Sequence, residues 1–282
     1  MKSFTAFALF TIASLTSINV FALSGGFESC YDKVCEKVFP STVQFSGRVG
    51  YCSAVKISTN LFLTAGHCVK RSALIMTSLI SSDSKYATGD EVESHLNTSL
   101  FTTEIKSPEW YVLKANAPFR DRKEYTSLGF LSTDVAVFKS DIPTPHIPIA
   151  PLCKNAAKEG NEVIITGWGL IANNGERYLN PRTNLQKWAR VKVDKTFTGL
   201  FHVKGSQGKF LARKVEGEIM PADSGSAVYG IEDSKYCVIG INNAGIVYDH
   251  RLYPDYTIHN NLKNNEFSEV EKFLQTVIKS DE

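Results

Sequence analysis

Three short stretches hold the residue types that acyl transfer requires. Ser224 lies between an aspartate and a glycine in Pro221-Ala222-Asp223-Ser224-Gly225-Ser226-Ala227, a small-residue run suited to a tight turn. His67 follows an apolar run in Leu63-Thr64-Ala65-Gly66-His67-Cys68. Asp134 heads an apolar segment in Thr133-Asp134-Val135-Ala136-Val137-Phe138. A serine hydroxyl is inert until a base removes its proton. Histidine titrates near neutral pH, so it can take that proton and later return it to a leaving amine. A carboxylate on the far imidazole nitrogen fixes the tautomer and stabilises the imidazolium. These types nominate Ser224 as nucleophile, His67 as general acid and base, and Asp134 as the group that orients the imidazole. Each stretch alone is commonplace. Their combination, in the order His, Asp, Ser, carries the reading.

That order separates chymotrypsin-type enzymes from subtilisins and from α/β-hydrolases, which build the same triad in other orders. On these residues the chain resembles the chymotrypsin/trypsin-like serine proteases. Glu162-Val163-Ile164-Ile165-Thr166-Gly167-Trp168-Gly169 adds a match to the Gly-Trp-Gly strand of the family's second barrel. The resemblance implies an all-β fold of two antiparallel six-stranded Greek-key barrels with a C-terminal α-helix. It implies a disulfide between Cys52 and Cys68, which flank the histidine stretch. Cys30, Cys35, Cys153 and Cys237 can then pair in three ways, with Cys30–Cys35 and Cys153–Cys237 the pairing we favour.

The resemblance also implies an oxyanion hole made by the backbone N–H groups of Ala222 and Ser224. The family has glycine where this chain has Ala222. Either Ala222 is held in a backbone region that a Cβ disfavours, or its peptide is turned and the hole is incomplete. Six residues before the nucleophile stands Glu218, at the family's specificity position, so the resemblance implies a preference for Lys or Arg before the cut bond. The other reading of Glu218 is a surface side chain. Asn243, Ala244 and Gly245 match the strand edge that the family presents to the substrate. Met220 and Ala244 replace a cysteine and a tryptophan usual in the family, so the pocket is remodelled. Cleavage after Ala22 exposes Leu23-Ser24-Gly25-Gly26, similar to the family's activation terminus, whose α-ammonium would pair with Asp223. Its alternative is a flexible tether.

These residues need a scaffold, and the composition supplies one. The chain has 282 residues, 43% hydrophobic and 21% charged, enough for a packed core and too ordinary for disorder. Residues 1–22 read as a secretory signal: Lys2 leads an apolar run and Ala22 ends it. Interrupting threonines and serines argue against a membrane span. Residues 23–142 are expected to form the first barrel, carrying His67 and Asp134. Residues 143–152 hold Pro143, Pro145, Pro148 and Pro151 and read as an extended linker. Residues 153–265 are expected to form the second barrel, carrying Ser224. In 266–282, Phe267, Val270, Phe273, Leu274, Val277 and Ile278 recur at helical spacing. Residues 172–184 read as an exposed loop, and 77–127 as strands with polar surface loops.

The net charge of +2 points to neither nucleic acid nor an anionic membrane as partner. No cofactor motif is present. A zinc site at His67-Cys68 lacks a second Cys/His cluster at ligand spacing. Together with the signal segment, the resemblance implies a secreted, extracellular or periplasmic, monomeric serine endopeptidase. It would act on polypeptides and be open to protein inhibitors. A catalytically silent, protease-like binding protein is the alternative, kept open by Ala222 and the altered pocket.

Overall fold

The computed structural model describes residues 27–28, 39–47, 50–70, 72–81, 98–113, 134–169, 171–173, 176–178, 186–196, 209–213, 222–244, 256–262 and 269–281. The expected signal segment, Leu23, Cys30, Cys35, Glu218 and Gly245 lie outside them. The strands are β1 (Phe27–Glu28), β2 (Thr42–Gly47), β3 (Gly50–Lys56), β4 (Leu61–Thr64), β5 (Leu74–Ser81), β6 (Thr98–Ile105), β7 (Glu109–Val112) and β8 (Ala136–Lys139). They continue with β9 (Glu162–Gly167), β10 (Ile171–Asn173), β11 (Glu176–Tyr178), β12 (Lys187–Thr196), β13 (Lys209–Arg213), β14 (Ala227–Glu232), β15 (Lys235–Ala244) and β16 (Tyr256–Asn261). One helix, Glu269–Lys279, follows.

Apart from the β10–β11 pair, the described strands form two curled antiparallel sheets. The first runs β6-β5-β2-β3-β4-β8-β7. Its two edge strands, β6 and β7, are successive parts of one chain excursion, broken only at Lys106-Ser107-Pro108. Proline cannot donate to a ladder, so the excursion bends there and leaves β5 for β8. Counted as one bent strand, it makes six. The second sheet closes directly, because β12 pairs with both β13 and β9, and β14 pairs with β9 and β15. β1 adds onto β12 from outside the ring, with Phe27 opposite Trp188.

Side-chain alternation divides the core into three clusters. In β4 every residue is buried, because both faces of the strand are covered. Phe62 points into the first barrel and stacks on Phe138, centroids 5.0 Å apart. Leu61 and Leu63 point to the seam between the sheets. In β9, Val163 and Ile165 fill the second barrel while Ile164 joins the seam. The seam collects Phe39, Val137, Trp188, Tyr229 and Val238 from both sheets, together with Val270, Leu274 and Val277 of the helix. Polar ties cross it as well. The Tyr229 hydroxyl meets Thr42 Oγ1 at 3.0 Å, and Gln186 Nε2 donates to the Phe39 carbonyl at 2.7 Å.

The proline-rich segment is held close to β3. Lys56 is buried, and its ammonium donates to the carbonyls of Thr144 at 2.6 Å and Ile147 at 3.0 Å. Burial pushes its pKa down to about 8. Cys153 and Cys237 are joined by a disulfide, next to a bridge between Leu152 and Val238. Residues 171–178, part of the expected loop, carry the β10–β11 pair instead. Asn174-Gly175 separates them, a sequence pair that favours a two-residue hairpin.

Candidate active site

Strand register brings His67 and Asp134 together. β4 and β8 are antiparallel, with Thr64 opposite Ala136. Two residues further along the same register, Asp134 falls opposite Gly66. A single turn of 3-10 helix, Gly66–Cys68, then presents His67. The Asp134 carboxylate takes two hydrogen bonds from one residue. Its Oδ1 accepts from the His67 backbone N–H at 2.7 Å, and its Oδ2 meets His67 Nδ1 at 2.6 Å. Asp134 is buried while the imidazole keeps some exposure. A Cβ on Gly66 would stand 2.9 Å from Asp134 Oδ1, so this position calls for glycine. The Cys52–Cys68 disulfide ties the turn to β3.

The Ser224 turn comes from the other sheet and packs on the same strand. The Ser53 N–H of β3 donates to the Ser224 carbonyl at 2.8 Å, and Ser53 Oγ donates to the Ala222 carbonyl at 2.8 Å. Thr64 Oγ1 in turn donates to the Ser53 carbonyl at 2.7 Å. Ser53 therefore lies between the histidine loop and the serine turn. Gly225 has φ +83°, and a Cβ there would meet Thr64 Oγ1, the Ser53 carbonyl at 2.4 Å and the Ala65 nitrogen at 2.7 Å. Only glycine lets the serine turn approach so near to Ala65, two residues before His67.

The turn is anchored behind as well. Gly225 N–H donates to the Asn242 carbonyl and Asn242 N–H to the Ser226 carbonyl, both at 2.8 Å. Asn242 Nδ2 donates to the Thr166 carbonyl at 2.7 Å. Asp223 is buried, and its Oδ1 accepts from Gly169 N–H at 2.6 Å. Ala222 has φ +79°, in the left-handed region that costs an L-residue about 1–3 kcal/mol. Of the two conformations open to Ala222, the structure shows the strained one. Asn243 is buried in β15, whose backbone at Ala244 pairs with Ile258.

The arrangement is a histidine clamped by a buried carboxylate, with a strained serine turn docked beside it across the seam of two β-barrels. The Trypsin family model matches residues 32–264, most of the chain and all of this site. The chain belongs to the trypsin family. No curated protein matches it. Trypsin-like proteases act on polypeptides, are often held by protein inhibitors and are typically secreted, although some members are inactive. Among the described residues no helix is long and apolar enough to cross a membrane.

Several contributors to this trypsin-family site were not singled out from the sequence. Ser53 and Thr64 act through backbone contacts that residue type does not announce. Gly66, Gly167 and Gly169 lie in stretches the sequence did mark, but the atoms that a Cβ at each would strike are seen only here. Lys187 is a strand residue whose ammonium is fully buried and donates to the Gly169 carbonyl at 2.9 Å.

Proposed function

We propose that this trypsin-family protein is a secreted serine endopeptidase that works through an acyl-enzyme on Ser224. The observation that carries the proposal is the docking of the Ser224 turn on Ser53 and Ala65, beside a His67 ring already bonded to Asp134 through Nδ1. In this reading Ser224 Oγ attacks the scissile carbonyl and His67 Nε2 takes its proton. Asp134 stabilises the imidazolium. The carbonyl oxygen becomes an oxyanion that accepts from the N–H groups of Ala222 and Ser224. Collapse expels the amine, which leaves with the proton from His67. Water then attacks the acyl-enzyme, losing a proton to the same imidazole, which passes it to the departing Ser224 Oγ as the carboxylic acid product is released.

Glu218, six residues before Ser224 in the sequence, supports a preference for Lys or Arg before the cut bond, and Asn243, Ala244 and Gly245 are read as the strand edge that meets the substrate backbone. The domain limits at 23–142, 143–152, 153–265 and 266–282, the removal of residues 1–22, a monomeric state and control by a protein inhibitor belong to the same reading. The decisive test is a fluorophosphonate probe on secreted protein whose amino terminus has been sequenced. Labelling that disappears in Ser224→Ala is the expected result. Intact protein that neither labels nor cleaves a peptide library would instead favour a silent, protease-like binding protein. A library preference for large apolar residues would refute the basic specificity.

A further inference from the structure

Two buried side chains of opposite charge meet at one glycine behind the Ser224 turn. Lys187 is 0% exposed and Asp223 is 1% exposed. Gly169 N–H donates to Asp223 Oδ1 at 2.6 Å, and the carbonyl of the same residue accepts from Lys187 Nζ at 2.9 Å. The strand register sets this up, because Lys187 of β12 is opposite Gly167 of β9. Gly167 and Gly169 are the two residues that make room for the Asp223 carboxylate. A Cβ on Gly167 would overlap Asp223 Oδ1, and one on Gly169 would lie 2.5 Å from Oδ1 and 2.7 Å from Oδ2. The carboxylate thus lies over the backbone whose carbonyl holds the ammonium.

Burying an ammonium or a carboxylate is strongly unfavourable unless opposite charge is close by and its hydrogen bonds are satisfied. Asp223 immediately precedes Ser224, so whatever fixes the carboxylate fixes the turn. The family resemblance gives that task to a free amino terminus. Here a lysine built into the second barrel holds the carbonyl of the same glycine whose N–H binds that carboxylate, which brings positive charge to its neighbourhood through Gly169.

We infer that Lys187 is a positioning residue whose ammonium is the counter-ion of Asp223, so that order in the Ser224 turn does not depend on a free amino terminus. The inference extends the endopeptidase reading and makes a separate demand. A chain with extra residues before Leu23 is as competent as a trimmed one, and signal removal is not a chemical trigger. The terminal segment does pass close to this strand, since Glu28 pairs with Lys187 through backbone. The two sources of charge must therefore be separated by experiment.

The test uses the full secreted chain and two readouts. The first is the rate of fluorophosphonate labelling at Ser224. Selective acetylation of the α-amino group leaves that rate unchanged. Lys187→Met lowers it by about 10²-fold, the cost typical of a misplaced oxyanion donor, and Lys187→Arg restores most of the loss. Loss of labelling on acetylation, or wild-type labelling in Lys187→Met, overturns the inference. The second readout is the unfolding midpoint of Lys187→Met, Asp223→Asn and the double variant. A coupled pair makes the double variant more stable than the sum of the single losses predicts, and strictly additive losses overturn the pairing. This cycle reads the pair even in a protein that never labels, and a double variant that folds where Lys187→Met does not supports it. Absence of labelling in wild type, by contrast, strikes only the endopeptidase reading.

Discussion

Replacing Asp134 with asparagine probes the pair of contacts that sets the state of the imidazole. Both carboxylate oxygens are committed to His67, Oδ1 to the backbone N–H at 2.7 Å and Oδ2 to Nδ1 at 2.6 Å. An amide has the same shape but one accepting end and one donating end. The backbone N–H can only donate. The imidazole can do either, by moving its proton from Nδ1 to Nε2. The amide therefore turns its oxygen to the backbone and its NH₂ to Nδ1. His67 is left with Nε2 protonated and cannot accept the Ser224 proton. In the triad of this family the wrong tautomer lowers kcat by about 10⁴-fold, which is about 5 kcal/mol of transition-state stabilisation. Two charge-assisted bonds become neutral ones, so stability falls by about 1–3 kcal/mol. The assay is the labelling rate and ester turnover of Asp134→Asn, read beside its thermal unfolding. A folded variant that turns over within about tenfold of wild type, a difference of about 1.4 kcal/mol, would refute the claim that Asp134 sets the tautomer.

Three further perturbations follow from named contacts. Ala222→Gly relieves the strain at φ +79°, and turnover is expected to rise; an unchanged rate would show that the strain does not limit the oxyanion hole. Gly225→Ala drives a methyl into Thr64 and Ser53, so it should cost at least about 3 kcal/mol and abolish labelling; a calorimetric midpoint near that of wild type would contradict the docking of the two loops. Lys56 has a folded-state pKa of about 8, below its ordinary 10.5. The unfolded chain then binds more protons between those values, so stability rises with pH across that window, by about 1–3 kcal/mol. Urea titrations at pH 8 and pH 10.5 read this rise, and Lys56→Met should flatten it.

The sequence alone determined which residue types were present and in what order. His67, Asp134 and Ser224 stood out because their chemistry is local to the side chain and their flanking residues are specific. The strands were legible for a similar reason. Leu61-Phe62-Leu63 is a continuous apolar run because both faces of β4 are covered, and the helix shows its seam-facing stripe at Val270, Leu274 and Val277. Nothing in the proline-rich 143–152 pointed to Lys56 as the group that holds it, nor to the turn that Ile147 N–H closes on the Thr144 carbonyl.

Only the tertiary structure decided what required two distant segments at once. The conformation of Ala222 was open in the sequence and is set by the turn that Ser53 and Asn242 enclose. Gly66, Gly167, Gly169 and Gly225 stood in recognisable motifs, but why each must be glycine is set by the atoms opposite it. Alternation puts Lys187 on the face of Ala189, Val191 and Val193, but it says which face a side chain takes and not what waits there. Its burial beside Gly169 depends on β9 and β12 pairing with Gly167 opposite Lys187. Side-chain type is written residue by residue along the chain. The partner of a buried charge is set by register between strands far apart in sequence.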